Sequence, residues 1–232
     1  MDTVIALGFL LGMQHAMEAD HIAAVAAITH SNSSRKTALI QGCTWALGHS
    51  FALLVLVLIV LGSGFSISDA MSHWMEFAVG VMLIVLGLRA ILTAKQKRMH
   101  IHAHQHVNGR KHIHAHCHSA DAPTDHNTQT HTAPKNVKLP LLVGLLHGVA
   151  GSAALIIFLA ATSLSSLWQA VGYVMYFGAG SILGMGAMSL TFTVPVCWLQ
   201  NRAPWGKTTL SIGIGFGALG IGIHRCLISV PI

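Results

Sequence analysis

Apolar residues run along the chain in six blocks, at 4–28, 38–61, 75–94, 139–161, 167–190 and 208–228, with polar connections between them. A helix of about 20 apolar residues spans the hydrocarbon core of a bilayer. Backbone groups at that depth can be satisfied only within helices or closed barrels. The pattern therefore predicts an all-α integral membrane protein with six transmembrane helices. The end of the fifth block is indistinct, because 191–198 stays apolar through Pro195. One long polar connection divides the chain into a first three-helix unit at 1–94, a loop at 95–138 and a second three-helix unit at 139–232. No basic region precedes the first block and no small-residue cleavage site follows it, so it is expected to stay as a helix rather than be removed as a signal.

Composition agrees with the pattern. The chain is 53% hydrophobic and 9% charged, with a mean hydropathy of +0.63; soluble domains carry about 25% charged residues. The net charge of +6 comes from connections. Arg35 and Lys36 follow the first block, Arg89, Lys95, Lys97, Arg98, Arg110, Lys111, Lys135 and Lys138 surround the third connection, and Arg202 and Lys207 lie in the fifth. The second and fourth connections have none. The positive-inside rule then places the first, third and fifth connections in the cytoplasm and both termini outside, in a multi-pass protein of the cytoplasmic (inner) membrane. Arg225 is the one basic residue on the wrong side. The charge thus reports topology, and no nucleic-acid partner is expected. Cys43, Cys117, Cys197 and Cys226 form no paired motif, which supports neither a disulfide framework nor a thiol relay.

The two halves repeat. Gly12-Met-Gln-His15 matches Gly144-Leu-Leu-His147 at an offset of 132, Gly42 and Gly48 match Gly172 and Gly178 at 130, and Gly80 and Gly87 match Gly213 and Gly220 at 133. A unit of three spans is odd-numbered, so its second copy is inverted in the membrane. Inverted repeats with a site near the midplane at their interface are a recurring transporter plan.

Within the first block stands His15-Ala-Met-Glu18-Ala-Asp20-His21, four ionisable groups in seven residues. A charge at bilayer depth costs roughly 2.5–3.5 kcal/mol on insertion scales, so such groups default to a functional reading. Imidazole and carboxylate together suit a divalent transition metal. At about 100° per residue, His15, Glu18 and His21 share one face of an ideal helix, whereas Asp20 does not. Either Asp20 orients an imidazole from behind or the helix is unwound there. His49 in the second block and His147 in the fourth lie at comparable depth, and both are candidate ligands. The second copy lacks the acids, with Ala150, Ser152 and Ala153 in place of Glu18, Asp20 and His21. Met13 and Met17 are expected to be apolar filler.

The 95–138 loop carries ten of the seventeen histidines: His100, His102, His104, His106, His112, His114, His116, His118, His126 and His131. Its polar composition predicts disorder without a ligand. Imidazoles at this density capture nickel, zinc, copper or cobalt, so the loop is expected to act as a cytoplasmic metal trap.

The His15-to-His21 stretch resembles the His-x-x-x-x-Asp-His signature of the nickel/cobalt transporter superfamily, with Glu18 where Asp is common. Gly48-His49-Ser50 resembles the motif of that family's next helix. Gly12-Met-Gln-His-Ala-Met-Glu-Ala-Asp-His and Leu146-His147-Gly148-Val-Ala-Gly151-Ser152 are similar to the six-helix urease-accessory branch. The resemblance implies movement of Ni2+ or Co2+ across the cytoplasmic membrane, with His15, Asp20 and His21 essential and His49 a ligand. It also implies cytoplasmic nickel chaperones or urease and hydrogenase maturation proteins as partners. The extra N-terminal helix and later acidic motifs usual in the family are not evident, and the His-rich loop is similar to that of efflux relatives; uptake supplying nickel enzymes is the expectation, and efflux for metal tolerance its alternative.

The resulting expectation is a carrier with no prosthetic group. It would hold its ion through His15, His21 and a carboxylate, with His49 closing the shell. Unprotonated imidazoles are required, so binding weakens as pH falls. An enzyme of the His-box type would need paired boxes, and the His-Glu-x-x-His of zinc proteases is absent. A thiol-electron conduit would need paired membrane cysteines.

Overall fold

The computed structural model of the protein describes residues 2–30, 34–63, 68–96, 99–105, 111–117, 137–150, 166–202 and 204–230. Among them are seven helices: α1 (Asp2–His15), α2 (Ala19–Thr29), α3 (Arg35–Ser63), α4 (Asp69–Gln96), α5 (Lys138–Ala150), α6 (Leu167–Arg202) and α7 (Pro204–Ser229). Four of them, α3, α4, α6 and α7, are long and apolar enough to cross a membrane.

The first expected span differs from its reading. It is two short helices, α1 and α2, interrupted at 16–18. The fourth is described only as α5, and 151–161 lies outside the described residues. The fifth runs well past 190 as one 36-residue helix that contains Pro195. An apolar run continuing beyond the proline suits a membrane helix, in which the freed backbone carbonyl can be satisfied locally.

The helices are apolar outside as well as inside. On α3, Trp45, His49, Leu53 and Val57 are buried, while Leu47, Phe51, Val55 and Ile59 are exposed on the opposite side. Water would not tolerate so broad an exposed apolar surface, but lipid does. The chain is a multi-pass membrane protein. Trp45, Leu83, Met185 and Val25 centre the main core, and Leu53, Val57, Tyr173 and Phe177 a second one.

Helix pairing follows a rule of exchange. α1 lies along α6 as α5 lies along α3; α3 packs on α6 and α4 on α7, and α2 fits against α6, α7 and α4. Close backbone approach at glycine, the usual device of membrane helices, gives the register. A Cβ on Gly12 would strike the Phe177 carbonyl, and one on Gly144 the Trp45 carbonyl. Gly48 meets Leu141 and Leu145, while Gly180 meets Phe9 and Met13. Every one of these positions maps onto its counterpart by 132 residues. Between α4 and α7, Gly80 faces Gly222 and Cys226 as Gly215 faces Gly87 and Ile91, an offset of 135. The glycine matches at 130 and 133 are therefore corrected. Gly172, Gly213 and Gly220 have nothing within 4 Å of where a Cβ would be, and Gly178 faces a Ser50 side chain rather than a backbone. The glycines that correspond in their contacts are Gly12 with Gly144, Gly48 with Gly180, Gly80 with Gly215, and Gly87 with Gly222.

The His-rich loop also differs from its reading as wholly irregular. Met99–Gln105 (β1) and Lys111–Cys117 (β2) pair antiparallel. Both segments alternate His with another residue, and that two-residue period is the signature of a strand. The register sets His100 opposite His116, His102 opposite His114 and His104 opposite His112. His106, His118, His126 and His131 lie outside the described residues.

Candidate metal site

The break between α1 and α2 creates the site. At the end of α1 the backbone tightens, with Met17 N–H donating to the Gln14 carbonyl (2.9 Å) and Glu18 N–H to that of His15 (3.0 Å). Glu18 turns extended, at φ −65° and ψ 148°, and α2 starts behind it. The carbonyl end of α1 thus lies beside the amide end of α2, and Asp20 falls in the first turn of α2, where the helix dipole favours an anion. A continuous helix would have turned Asp20 away; the break brings it in. Half-helix ends of this kind form the ion sites of many carriers.

Four imidazoles converge. Ring centroids of His21 lie 4.2 Å from His15, 5.2 Å from His49 and 4.2 Å from His147, and His49 lies 5.8 Å from His147. His21, His49 and His147 are fully buried and His15 nearly so. Trp45 at 5.4 Å from His21 and Phe177 at 5.4 Å from His15 wall the cluster.

Two groups of possible ligands share His21: His15, His21 and His49, and Asp20, His21 and His147. In each, the ligand atoms lie within 4.8 Å of one another. Nε2 of His15 is 3.2 Å from Nε2 of His49. With metal–nitrogen bonds of about 2.0–2.1 Å, two imidazoles on one ion would stand roughly 3.0–3.4 Å apart, so that pair already has the spacing of shared ligands. Nδ1 of His21 faces Asp20 Oδ1 at 3.0 Å. An N–H donated to this carboxylate leaves the lone pair on Nε2, the tautomer a metal requires. Nε2 of His21, Nδ1 of His49 and both ring nitrogens of His147 are buried without a hydrogen-bond partner. Such orphaned polar atoms are rare and call for an explanation; a cation would account for His21 Nε2 and for one nitrogen of His147, since each imidazole offers one nitrogen to an ion.

The other candidates separate by role. Glu18 lies in neither group: its Oε1 faces His15 Nδ1 at 2.9 Å and it is one-third exposed. It holds His15 from behind, as Asp20, in the orienting part that sequence offered it, holds His21. Asp20 is buried among its partners. Oδ1 also accepts the His21 backbone N–H (2.9 Å), and Oδ2 is 3.6 Å from His147 Nε2. Met13 and Met17 are exposed apolar surface, not core. Sequence reading missed Arg225, whose Nη2 donates to Asp20 Oδ2 at 3.2 Å. The residue that contradicted the positive-inside rule has its counter-ion across the fold, and an unexplained basic residue in an apolar helix was the available signal.

Comparison with known proteins agrees with this chemistry. The family described as "High-affinity nickel-transport protein" (NicO) matches residues 2–223. The urease accessory protein UreH of Bacillus sp. (strain TB-90) is 32% identical over 222 residues, covering 96% of this chain and 90% of that protein. The chloroplast protein FOR GROWTH AND FERTILITY 1 of Arabidopsis thaliana is 24% identical over 225 residues, 90% of this chain and 57% of that one. No solved structure matches the chain. On a match that runs through nearly its whole length, the chain belongs to the NicO nickel-transporter family.

Proposed function

We propose that the protein carries Ni2+, and Co2+ as a related cargo, across the cytoplasmic membrane through the buried cluster of His15, Asp20, His21, His49 and His147, in the direction of uptake. The observation that carries this reading is the set of orphaned, fully buried imidazole nitrogens around His21. Four rings and a carboxylate at one point cost more than helix packing repays unless they replace the water around an ion.

The helix pairings support an inverted repeat of units 1–94 and 139–232, with the cluster between them. His15 comes from the first unit and its counterpart His147 from the second, and both touch the ring of His21. Rocking of one unit against the other would expose the cluster to each side in turn. The 95–138 loop would lie on the cytoplasmic side and bind metal through His100, His102, His104, His106, His112, His114, His116 and His118 as a reservoir. From there the ion would pass to nickel chaperones or to urease or hydrogenase maturation proteins. The name of the UreH relative supports the urease link.

The test is accumulation of radioactive nickel in cells lacking other importers. Wild type should accumulate it, and His15→Ala and His21→Ala should not. Equal accumulation in all three would remove the transport reading, and depletion of nickel by wild type would reverse its direction.

A further inference from the structure

The geometry points to Arg225 as a tethered counter-cation, which occupies Asp20 when the carrier holds no metal and yields that carboxylate to the divalent ion. The inference rests on the transport reading above.

Asp20 has two oxygens with different neighbours. Oδ1 is committed within its own helix, to the His21 backbone N–H and ring Nδ1. Oδ2 is the atom turned toward His147 Nε2, at 3.6 Å, and so toward the group formed by Asp20, His21 and His147. Arg225 Nη2 lies 3.2 Å from this same atom. A guanidinium stays charged at any working pH, and a divalent ion beside it would meet like charge at short range in a weakly screening interior. Ion and guanidinium therefore compete for one oxygen. Asp20 is 5% exposed and Arg225 26%, so the arginine is the partner with room to move, and its long chain can carry its head toward water.

A place for it to go is at hand. Ser229 lies one helical turn beyond Arg225 on the same face of α7, and its hydroxyl donates to Glu76 Oε2 on α4 at 3.2 Å. A second carboxylate is thus held by the residue one turn beyond Arg225 on the same face of the helix. Arg225 moves from Asp20 to Glu76 when the ion binds and back when it leaves.

The exchange has a function. A buried carboxylate with no counter-ion is costly, so a carrier that has released its ion must otherwise reorient with that cost. With Arg225 on Asp20 the empty carrier keeps its charges paired and can return. Net transport needs that return, whereas one-for-one exchange of metal across the membrane does not.

The experiment uses the full chain in proteoliposomes, with Ni2+ as the probe. Net uptake and radioactive Ni2+/Ni2+ exchange are measured side by side, and equilibrium binding in nanodiscs. Arg225→Gln should bind Ni2+ about tenfold more tightly, lose net uptake by tenfold or more and keep exchange near wild type; Arg225→Lys should restore net uptake. Glu76→Gln should shift affinity the other way, weakening it. Wild-type affinity and net uptake in Arg225→Gln would overturn the proposal. So would parallel loss of binding, exchange and uptake, the mark of a merely structural residue. Wild-type vesicles showing neither uptake nor exchange would refute the transport reading itself.

Discussion

Because His21 is the member common to both ligand groups, its loss should exceed that of any other single residue. Replacing a group that only orients a metal ligand costs 10–100-fold in affinity. His49 and His147 each belong to one group, so removing either should cost roughly that much. Removing His21 takes a donor from both. The expected loss is on the order of 100- to 10,000-fold, or about 2.7–5.5 kcal/mol. The fully buried ring also packs against His15, His147, His49 and Trp45, so truncation to Ala would leave a cavity worth roughly 2–5 kcal/mol of stability. His21→Leu conserves volume and separates the two effects. The assay is equilibrium Ni2+ binding to the full chain in nanodiscs, with the eight candidate loop histidines replaced by Ser to remove background capture. Thermal unfolding of each variant serves as the control. A His21→Leu protein that stays folded and binds no worse than His49→Leu or His147→Leu would refute the shared-ligand geometry.

Three more expectations follow from particular contacts. Glu18→Gln should lower Ni2+ affinity by about 10–100-fold, by freeing the ring it braces, and titration calorimetry reads this directly; an unchanged affinity removes Glu18 from the site. Gly12→Ala and Gly144→Ala place a Cβ against the Phe177 and Trp45 backbones, where overpacking costs typically 1–3 kcal/mol. Gly172→Ala meets open space and should leave the melting temperature in detergent unmoved, whereas equal effects at all three would deny the helix register. In the loop, His104 stands opposite His112 and His100 opposite His116. Replacing His104 with His112 spares two cross-strand pairs, and replacing His104 with His116 spares one. The first double variant should hold about one more equivalent of Ni2+, and identical stoichiometries would mean that cross-strand pairing plays no part.

Much of the architecture could be read from residues alone, and the failures have physical causes. Apolar block lengths gave the long helices to within a few residues at α3, since lipid demands that pattern. The break after His15 was legible only through Asp20, which an ideal helix turns away from the other three groups; Ala16, Met17 and Glu18 include neither glycine nor proline to mark it. The wheel drawn on an ideal helix set Asp20 apart from His15, Glu18 and His21, and both readings offered for it, an orienting contact to an imidazole and an unwound helix, are found. The corresponding contacts were legible at Gly12 and Gly144, but with 23 glycines an offset wrong by two residues elsewhere looks as good as the one the backbone contacts give. Arg225 could not be paired from sequence, because its partner is 205 residues away.

The most direct test of the central claim is X-ray absorption at the nickel edge on the full chain with its loop histidines replaced. The account predicts one bound Ni2+ whose spectrum carries the multiple-scattering signature of at least two imidazoles, lost in His21→Leu. A spectrum of oxygen neighbours alone, or one that His21→Leu leaves unchanged, would contradict it.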